Sequence, residues 1–282
     1  MKLARSTAEI FVPDGLPISR ALSRTTSMCI AAHHDDVEIM APHAILDCFG
    51  RSDRWFMGVV VTDGAGSARA GLYARYTDKQ MQVVRKHEQR KAAVVGEFGA
   101  LAMLGHPSSA VKSPKGKDVR EDLCKVVLAA KPDVIIGHNL ADKHDTHVAL
   151  ALRTIEALRS LPPKMRPRKF YGGEVWRDLD WMPNGEKVKW DVSRRENIQV
   201  ALLAVFDSQI SGGKRYDLAA AARRRTAATY SQSHQVDATT ALSVAMDLTP
   251  LLRDDRIDPA EYVSEMADRF RNDILKRIER FS

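Results

Sequence analysis

Three short apolar runs, spaced by long helical patterns, restrict this chain more than any other feature. "SMCIAA" (27–32), "RWFMGVVVTDG" (54–64) and "DVIIGHN" (133–139) have strand length and are bounded by polar or turn-forming residues. Between and after them lie stretches of helical composition: "DVEIMAPHAILDCF" (36–49), residues 77–99 without a proline, "REDLCKVVLAAKP" (120–132) stopped by Pro132, and "THVALALRTIEALRSL" (146–161) stopped by Pro162. Apolar strands alternating with helices of this length indicate βαβ units, a parallel sheet covered by helices on both faces. The predicted fold is therefore α/β, a Rossmann-like three-layer α/β/α arrangement with a mostly parallel sheet. "LAMLG" (101–105) reads as a short strand, and "KFYGGEVW" (169–176) as another. A loop with Pro183-Asn184-Gly185 and long helices from about 197 and 217 complete a C-terminal α/β extension, about residues 165–282. Residues 1–26 are polar with turn formers and read as an N-terminal arm laid over the fold. The whole of 1–282 is expected to form a single α/β domain.

Composition narrows the class of protein. The chain is 44% hydrophobic and 28% charged, which permits a sizeable core. The three cysteines, Cys29, Cys48 and Cys124, are odd in number and lack metal-type spacing, so a reduced, cytoplasmic protein is expected. No secretory leader is read in the first 30 residues, and no apolar run is long enough for a membrane span. The formal net charge of +7 is scattered, clustering only at Arg223-Arg224-Arg225 and in "KMRPRK" (164–169). Without a basic stripe interleaved with aromatics, nucleic acid is not an expected partner.

In open parallel sheets, ligands bind beyond the carboxyl ends of the strands. Two unusually polar segments fall there. After the first run come His33, His34, Asp35, Asp36 and Glu38; after "DVIIGHN" come Asp142, His144, Asp145 and His147. Imidazole and carboxylate donors suit a borderline divalent ion such as zinc, which in catalytic sites takes three protein ligands and keeps one position open. His33 and Asp36 can close on one ion from a turn, with His147 completing the set from the other loop. Asp35 is then a free carboxylate placed to take a proton, and His144 can polarise the substrate oxygen or protonate a leaving amine. A helix N-cap is the competing role for Asp35 or Asp36.

These residues carry a resemblance. "AAHHDDVE" (31–38) resembles the "AHPDD-x-E" signature of the PIG-L/LmbE-like family of zinc-dependent N-acetylglucosamine deacetylases, and "DKHDTH" (142–147) resembles its second motif, "D-x-H-P-D-H". "VVVTDGAG", Arg85 and Glu88 ahead of "KAAVVGEFGA", "KPDVIIGHN" and "ATYSQSH" are similar to further family segments, in order, over most of 27–234. The resemblance implies His33, Asp36 and His147 as metal ligands, Asp35 as general base and His144 as the assisting histidine. It implies Zn2+ as cofactor, with Fe2+ the alternative, and a small amino-sugar conjugate as the partner molecule. Two positions depart from the pattern. His34 replaces a proline, and Thr146 replaces the aspartate that supports the assisting histidine, a role open to Asp145 or Asp142.

Four further residues are expected at the substrate: Asp63 and Arg69 in or beside the glycine loop, His138 at the end of a strand, and Arg85, for which a local ion pair with Glu88 is the alternative. "WRDLDW" (176–181) suits stacking on a sugar, and "GGKRYD" (212–217) suits an anionic group. His43 is expected to be structural. The expected activity is metal-dependent removal of an N-acetyl group, releasing acetate and a free amine. Hydrolysis of another bond, such as a phosphoester, and non-catalytic sugar-conjugate binding are the alternatives. A homo-oligomer is compatible with the sequence.

Overall fold

The computed structural model describes residues 1–282. Eight strands form one sheet: β1 (Glu9–Phe11), β2 (Ser27–Ala31), β3 (Phe56–Thr62), β4 (Ala100–His106), β5 (Val134–His138), β6 (Lys169–Gly173), β7 (Lys187–Asp191) and β8 (Leu242–Asp247). Their order is β1-β4-β3-β2-β5-β6-β8-β7. The central five, β4-β3-β2-β5-β6, are parallel, whereas β1 joins β4 antiparallel and β8 and β7 join the other edge antiparallel. The α/β reading of the sequence is borne out.

The apolar runs read as strands because both faces of the sheet are covered. Along β2, Met28 and Ile30 enter one apolar cluster while Cys29 and Ala31 enter the other. The helices Lys117–Ala130 and Asp145–Arg159 cover the first face through Leu123, Val126, Leu150 and Leu158. The second face is closed by the 36–48 region, with Val37, Met40 and Ile45, and by the helix Asp78–Val95, with Ala93. That long helix begins at a capping box in which Thr77 and Gln80 satisfy each other's backbone N–H.

Several boundaries differ from expectation for local reasons. The pattern over 36–49 is two helices, Asp36–Met40 and Pro42–Cys48, because Pro42 cannot continue the first but starts the second well. The N-terminal segment is more than an arm: Glu9 pairs with Met103 as an edge strand, and a helix Ile18–Ser23 buries Ala21 and Leu22. The helix expected from about 197 is short, Glu196–Ala204; the one from about 217 is Tyr216–Thr229. A 23-residue helix, Pro259–Phe281, ends the chain. No helix is long and apolar enough to cross a membrane.

The strand order fixes where chemistry can gather. From β2 the chain winds outward to β3 and β4 on one side, while β5 lies on its other side, so the order reverses between β2 and β5. The loops after these two strands flank the crevice in which doubly wound sheets bind ligands. The two polar motifs are those loops.

Candidate metal centre

The chain leaves β2 and turns through His33–Asp36 into the helix Asp36–Met40. Asp35 heads that helix with φ at +91° and makes no side-chain capping bond. Left-handed backbone costs a residue with a Cβ about 1–2 kcal/mol. Here Gln89 holds it, its Oε1 accepting the Asp35 N–H at 3.1 Å. The Asp35 carboxylate is thus freed from capping and meets Arg85, whose Nη2 donates to Oδ2 at 2.9 Å. Arg85 also donates to the His34 carbonyl, to Glu88 Oε2 at 3.0 Å and to Ser208 Oγ at 3.3 Å. Burial pushes the Asp35 carboxyl up, the Arg85 cation opposes this, and the balance lies at about 6.

Three donor atoms converge beside it. Asp36 Oδ2 lies 3.2 Å from His33 Nδ1 and 3.2 Å from His147 Nε2, and the two nitrogens are 3.0 Å apart. Tetrahedral ligands at zinc–nitrogen and zinc–oxygen bond lengths stand roughly 3.3 Å apart. The observed triangle is within a few tenths of an ångström of that, so the residues fit a divalent cation. The electrostatics agree. Burial alone would lower His147 and raise Asp36, yet Asp36 and Asp142 push His147 up to about 9, and His147 and His33 hold Asp36 well below the carboxylate range. The centre favours a positive charge at this point, which a proton on His147 or a bound cation can supply.

Supporting groups fix the imidazoles. His147 Nδ1 lies 3.3 Å from Asp142 Oδ2, a carboxylate–histidine arrangement that sets which ring nitrogen faces a metal. Asp142 also accepts the His144 N–H at 2.9 Å and the Trp176 N–H at 3.2 Å, pinning two loops. It does not reach the His144 ring, and exposed Asp145 makes no hydrogen bond to it. Instead, His144 caps the helix Asp145–Arg159: its Nδ1 accepts the Thr146 N–H at 3.2 Å. A backbone donor thus occupies Nδ1 where a carboxylate would instead accept from it, and it leaves the proton of a neutral ring on Nε2. Burial and the neighbouring His147 and His33 lower the His144 pKa.

His138 Nε2 accepts the Ala32 N–H at 2.8 Å, and the His138 ring stacks 3.9 Å from that of His147. A second donor trio, Asp36, His138 and His147, lies close together, but His138 could join it only by giving up that backbone bond. His33, His144 and His147 also bring ring nitrogens together. Within the trio His33, Asp36 and His147, Asp36 Oδ2 accepts the His33 N–H at 2.8 Å, which closes the turn and leaves the carboxylate further acceptor sites for an ion.

A cavity of about 380 Å³ opens over this centre, with His33, Asp35, Asp36 and His144 at its base and Trp176 and Tyr216 on its wall. The segments "WRDLDW" and "GGKRYD", far apart in sequence, therefore meet here. Lys214 Nζ lies 5.0 Å from the Trp176 ring centre, and that ring lies 6.2 Å from His144. A larger groove of about 840 Å³, between Pro42–Cys48 and β6–β7, contains none of the donors and is not the candidate site.

Not every expected residue reaches the cavity. Asp63 lies outside the lining and binds its own loop, accepting the Ala65 N–H at 3.0 Å. Arg69 is turned into the same loop, donating to the Ala65 and Tyr76 carbonyls at 2.7 and 2.9 Å and to Asp78. His138 is 1% exposed, behind His147. None of these three lines the cavity, and each is engaged in organising backbone. Arg85 borders the cavity, and the local Glu88 pair is present, but both of its Nη groups are already engaged, leaving only Nε without a partner. His43 is stacked on Trp190 at 3.6 Å, away from the centre. Gln89 and Ser208 were not anticipated; Gln89 also donates to buried Glu38 at 2.7 Å, and Ser208 N donates to Glu88 at 2.6 Å.

Fold and site together define a doubly wound α/β protein with an imidazole–carboxylate cluster at the point where its strand order reverses. Residues 28–158 match the family model PIG-L, GlcNAc-PI de-N-acetylase. No curated protein matches it in sequence. Among solved structures, it is similar to N,N'-diacetylchitobiose deacetylase from Pyrococcus horikoshii, with TM-score 0.63 and 15% identity over 82% of this chain and 86% of that one. It is similar to the 4-carboxy-2-hydroxymuconate hydratase GalB from Pseudomonas putida KT2440, with TM-score 0.58 and 14% identity over 79% and 96%. A zinc-inhibited form of teicoplanin deacetylase Orf2 gives TM-score 0.57 and 12% identity over 79% and 97%. At such identities the likeness is one of fold, and the fold serves both deacetylation and hydration.

Proposed function

We propose that the protein is a metal-dependent N-deacetylase acting on an N-acetylated amino sugar or its conjugate. The observation that carries this reading is the triangle of His33, Asp36 and His147 donor atoms, 3.0–3.2 Å on a side, beside a carboxylate that belongs to none of the three. His33, Asp36 and His147 would hold the ion. A bound divalent cation supplies Lewis acidity, activating water and polarising a carbonyl at neutral pH.

The chain's own groups account for the proton movements. Asp35, ionised above about 6, accepts the proton of the attacking water at its carboxylate. Arg85 holds that carboxylate in place. His144 presents Nε2–H to the oxygen that gains negative charge. The proton taken by Asp35 can then pass to the departing nitrogen, so acetate and a free amine leave. Trp176 and Tyr216 offer aromatic faces on which a sugar ring can lie.

Two imidazoles and one carboxylate suit zinc and Fe2+ alike. Because a related deacetylase is described in a zinc-inhibited form, zinc occupancy and activity are to be measured separately. The deciding experiment strips the protein with a chelator, reloads it with Zn2+ or Fe2+, and follows acetate release from N-acetylglucosamine conjugates. Acetate release that returns with one ion and is lost in Asp35→Asn supports the proposal. No acetate from any N-acetyl substrate with any ion, while another bond is cleaved or a double bond hydrated, overturns it.

A further inference from the structure

The groove of about 840 Å³ between Pro42–Cys48 and β6–β7 collects side chains that the rest of the chain leaves unbonded. The helix Pro42–Cys48 forms one wall and gives the groove two ends. At the helix start, His43 stacks on Trp190, and Tyr171 meets Trp190 edge-on with ring centres 5.1 Å apart. Tyr171 Oη, Trp190 Nε1 and both His43 nitrogens make no hydrogen bond within the chain, and His43 Nδ1 is also buried. Burial and the Arg224 cation push the His43 pKa down to about 3, so its ring is neutral and keeps one N–H to donate. A buried ring nitrogen without a partner is costly.

At the helix end the groove is cationic. Cys48 Sγ lies 3.9 Å from Thr26 Oγ1, just before β2, so this end sits at the start of the parallel strands, away from the motif loops. Arg168, immediately before β6, lines the groove with Arg194 and Arg195, and none of the three pairs with a carboxylate. The other charges are matched. Arg51 pairs with Asp53, Asp47 with Arg54, Lys169 lies 3.9 Å from Asp247, and Asp191 accepts the Ser193 N–H at 2.9 Å. Arg195 holds a left-handed backbone, φ +55°, unfavourable for a residue with a Cβ, and its guanidinium stands 5.0 Å from the Phe49 ring.

We infer that this groove binds a small organic phosphate, its phosphate at the Arg168–Arg195 end and its organic body along Tyr171 toward Trp190 and His43. Three features choose the occupant. Guanidiniums without carboxylates match the paired oxygens of a phosphate, which they hold more strongly than neutral donors could. The ring tips at the other end add donors without acceptors, so the ligand's body carries acceptor atoms on a flat or apolar frame. Val134 and Ile136 extend that apolar floor. The volume falls within the roughly 300–1,000 Å³ of sites that enclose a metabolite, more than a bare ion needs. A bilayer would require the apolar surface to project, and here it is recessed between a helix and strands. This inference does not depend on the deacetylase reading.

Calorimetric titration of the full chain with AMP, adenosine and inorganic phosphate tests it. AMP is expected to bind with Kd roughly 10–100 µM at low salt, and adenosine and phosphate each at least about tenfold more weakly. Arg168→Gln combined with Arg195→Gly should weaken AMP binding at least about tenfold. Glycine suits the left-handed backbone at 195 and Arg168 is exposed and unpaired, so the melting temperature should not fall in this variant. Tyr171→Phe, which removes only the free hydroxyl, should weaken AMP without changing the affinity for phosphate. Binding should be the same in metal-loaded and metal-stripped protein. The absence of AMP binding at about 1 mM overturns the inference. So does AMP binding that is indifferent to the arginine changes, that is matched by inorganic phosphate alone, or that needs the metal.

Discussion

Arg85 and Asp35, fifty residues apart in the chain, form a buried ion pair with Nη2 and Oδ2 2.9 Å apart, and both side chains are almost wholly excluded from water. The same guanidinium donates to Glu88 at 3.0 Å, so one cation balances two buried carboxylates. Its role is to aim the base and to keep it ionisable.

Replacing Arg85 with methionine therefore removes more than a contact. Two carboxylates are left buried without their cation, a loss on the order of 3–5 kcal/mol. Because Arg85 lowers the Asp35 pKa against burial, its removal should raise that pKa above about 6. The acid limb of kcat/KM should move to higher pH and the melting temperature should fall. Arg85→Lys keeps the charge but not the fork, and is expected to recover stability more than rate. A pH–rate profile of Arg85→Met that coincides with the wild type would show that the pair does not tune the base.

Asp35 itself predicts the shape of the wild-type profile. Its carboxyl is raised from 3.8 to about 6, and only the ionised form accepts a proton. Activity should fall tenfold per pH unit below about 6, and Asp35→Asn should reduce kcat by roughly 10²–10⁴-fold at neutral pH while leaving metal binding intact. Metal content and acetate release, measured on the same preparation, check both halves.

Much of this centre was legible in the sequence, for identifiable reasons. β2, β3 and β5 are buried on both faces and so appear as unbroken apolar runs, and the polar residues after β2 and β5 stand out against them. The edge strands gave no such signal: β1 is three residues long, and β7, "KVKWD", is half exposed and mixes lysines with apolar residues. The donor trio was readable because each member sits in a short motif. Arg85, Gln89 and Ser208 owe their roles to the packing of the helix Asp78–Val95 against the turn at Asp35, which local sequence does not report. Asp63 and Arg69 bond within their own loop, because a glycine-containing loop beside a site needs polar side chains to hold its own backbone.

The Asp142–His147 contact predicts a coupling between metal and pH. With the metal removed, His147 has a folded pKa of about 9 against an ordinary 6.5, raised by Asp36 and Asp142 against burial. A raised histidine contributes stability that is full below 6.5 and lost as pH rises through about 9, here on the order of 3 kcal/mol. The depressed Asp36 pKa reports the same interaction and is not counted again. Stripped protein should lose melting temperature between pH 6.5 and 9, whereas loaded protein, with the cation in the proton's place, should not. Asp142→Asn should weaken metal binding about 10–100-fold. Equal pH dependence of stability with and without metal would contradict the shared-charge account.

The most specific prediction concerns His144. With Asp replaced by Thr146, its Nδ1 takes a backbone N–H rather than a carboxylate, at 3.2 Å, and its pKa is lowered rather than raised. At neutral pH the ring is then an uncharged donor through Nε2. It can hydrogen-bond a developing oxyanion but has no extra proton to give, so protonation of the leaving nitrogen falls to Asp35. A histidine acting as general acid would impose a descending limb near neutral pH. None is expected here: kcat/KM should rise through about 6 with Asp35 and stay level to pH 8. His144→Gln keeps an amide N–H to donate and should lower kcat by roughly 10²-fold without changing the shape of the profile. A descending limb near pH 7 that disappears in His144→Gln would instead make His144 the acid, and some group other than the Thr146 amide would have to sustain its charge.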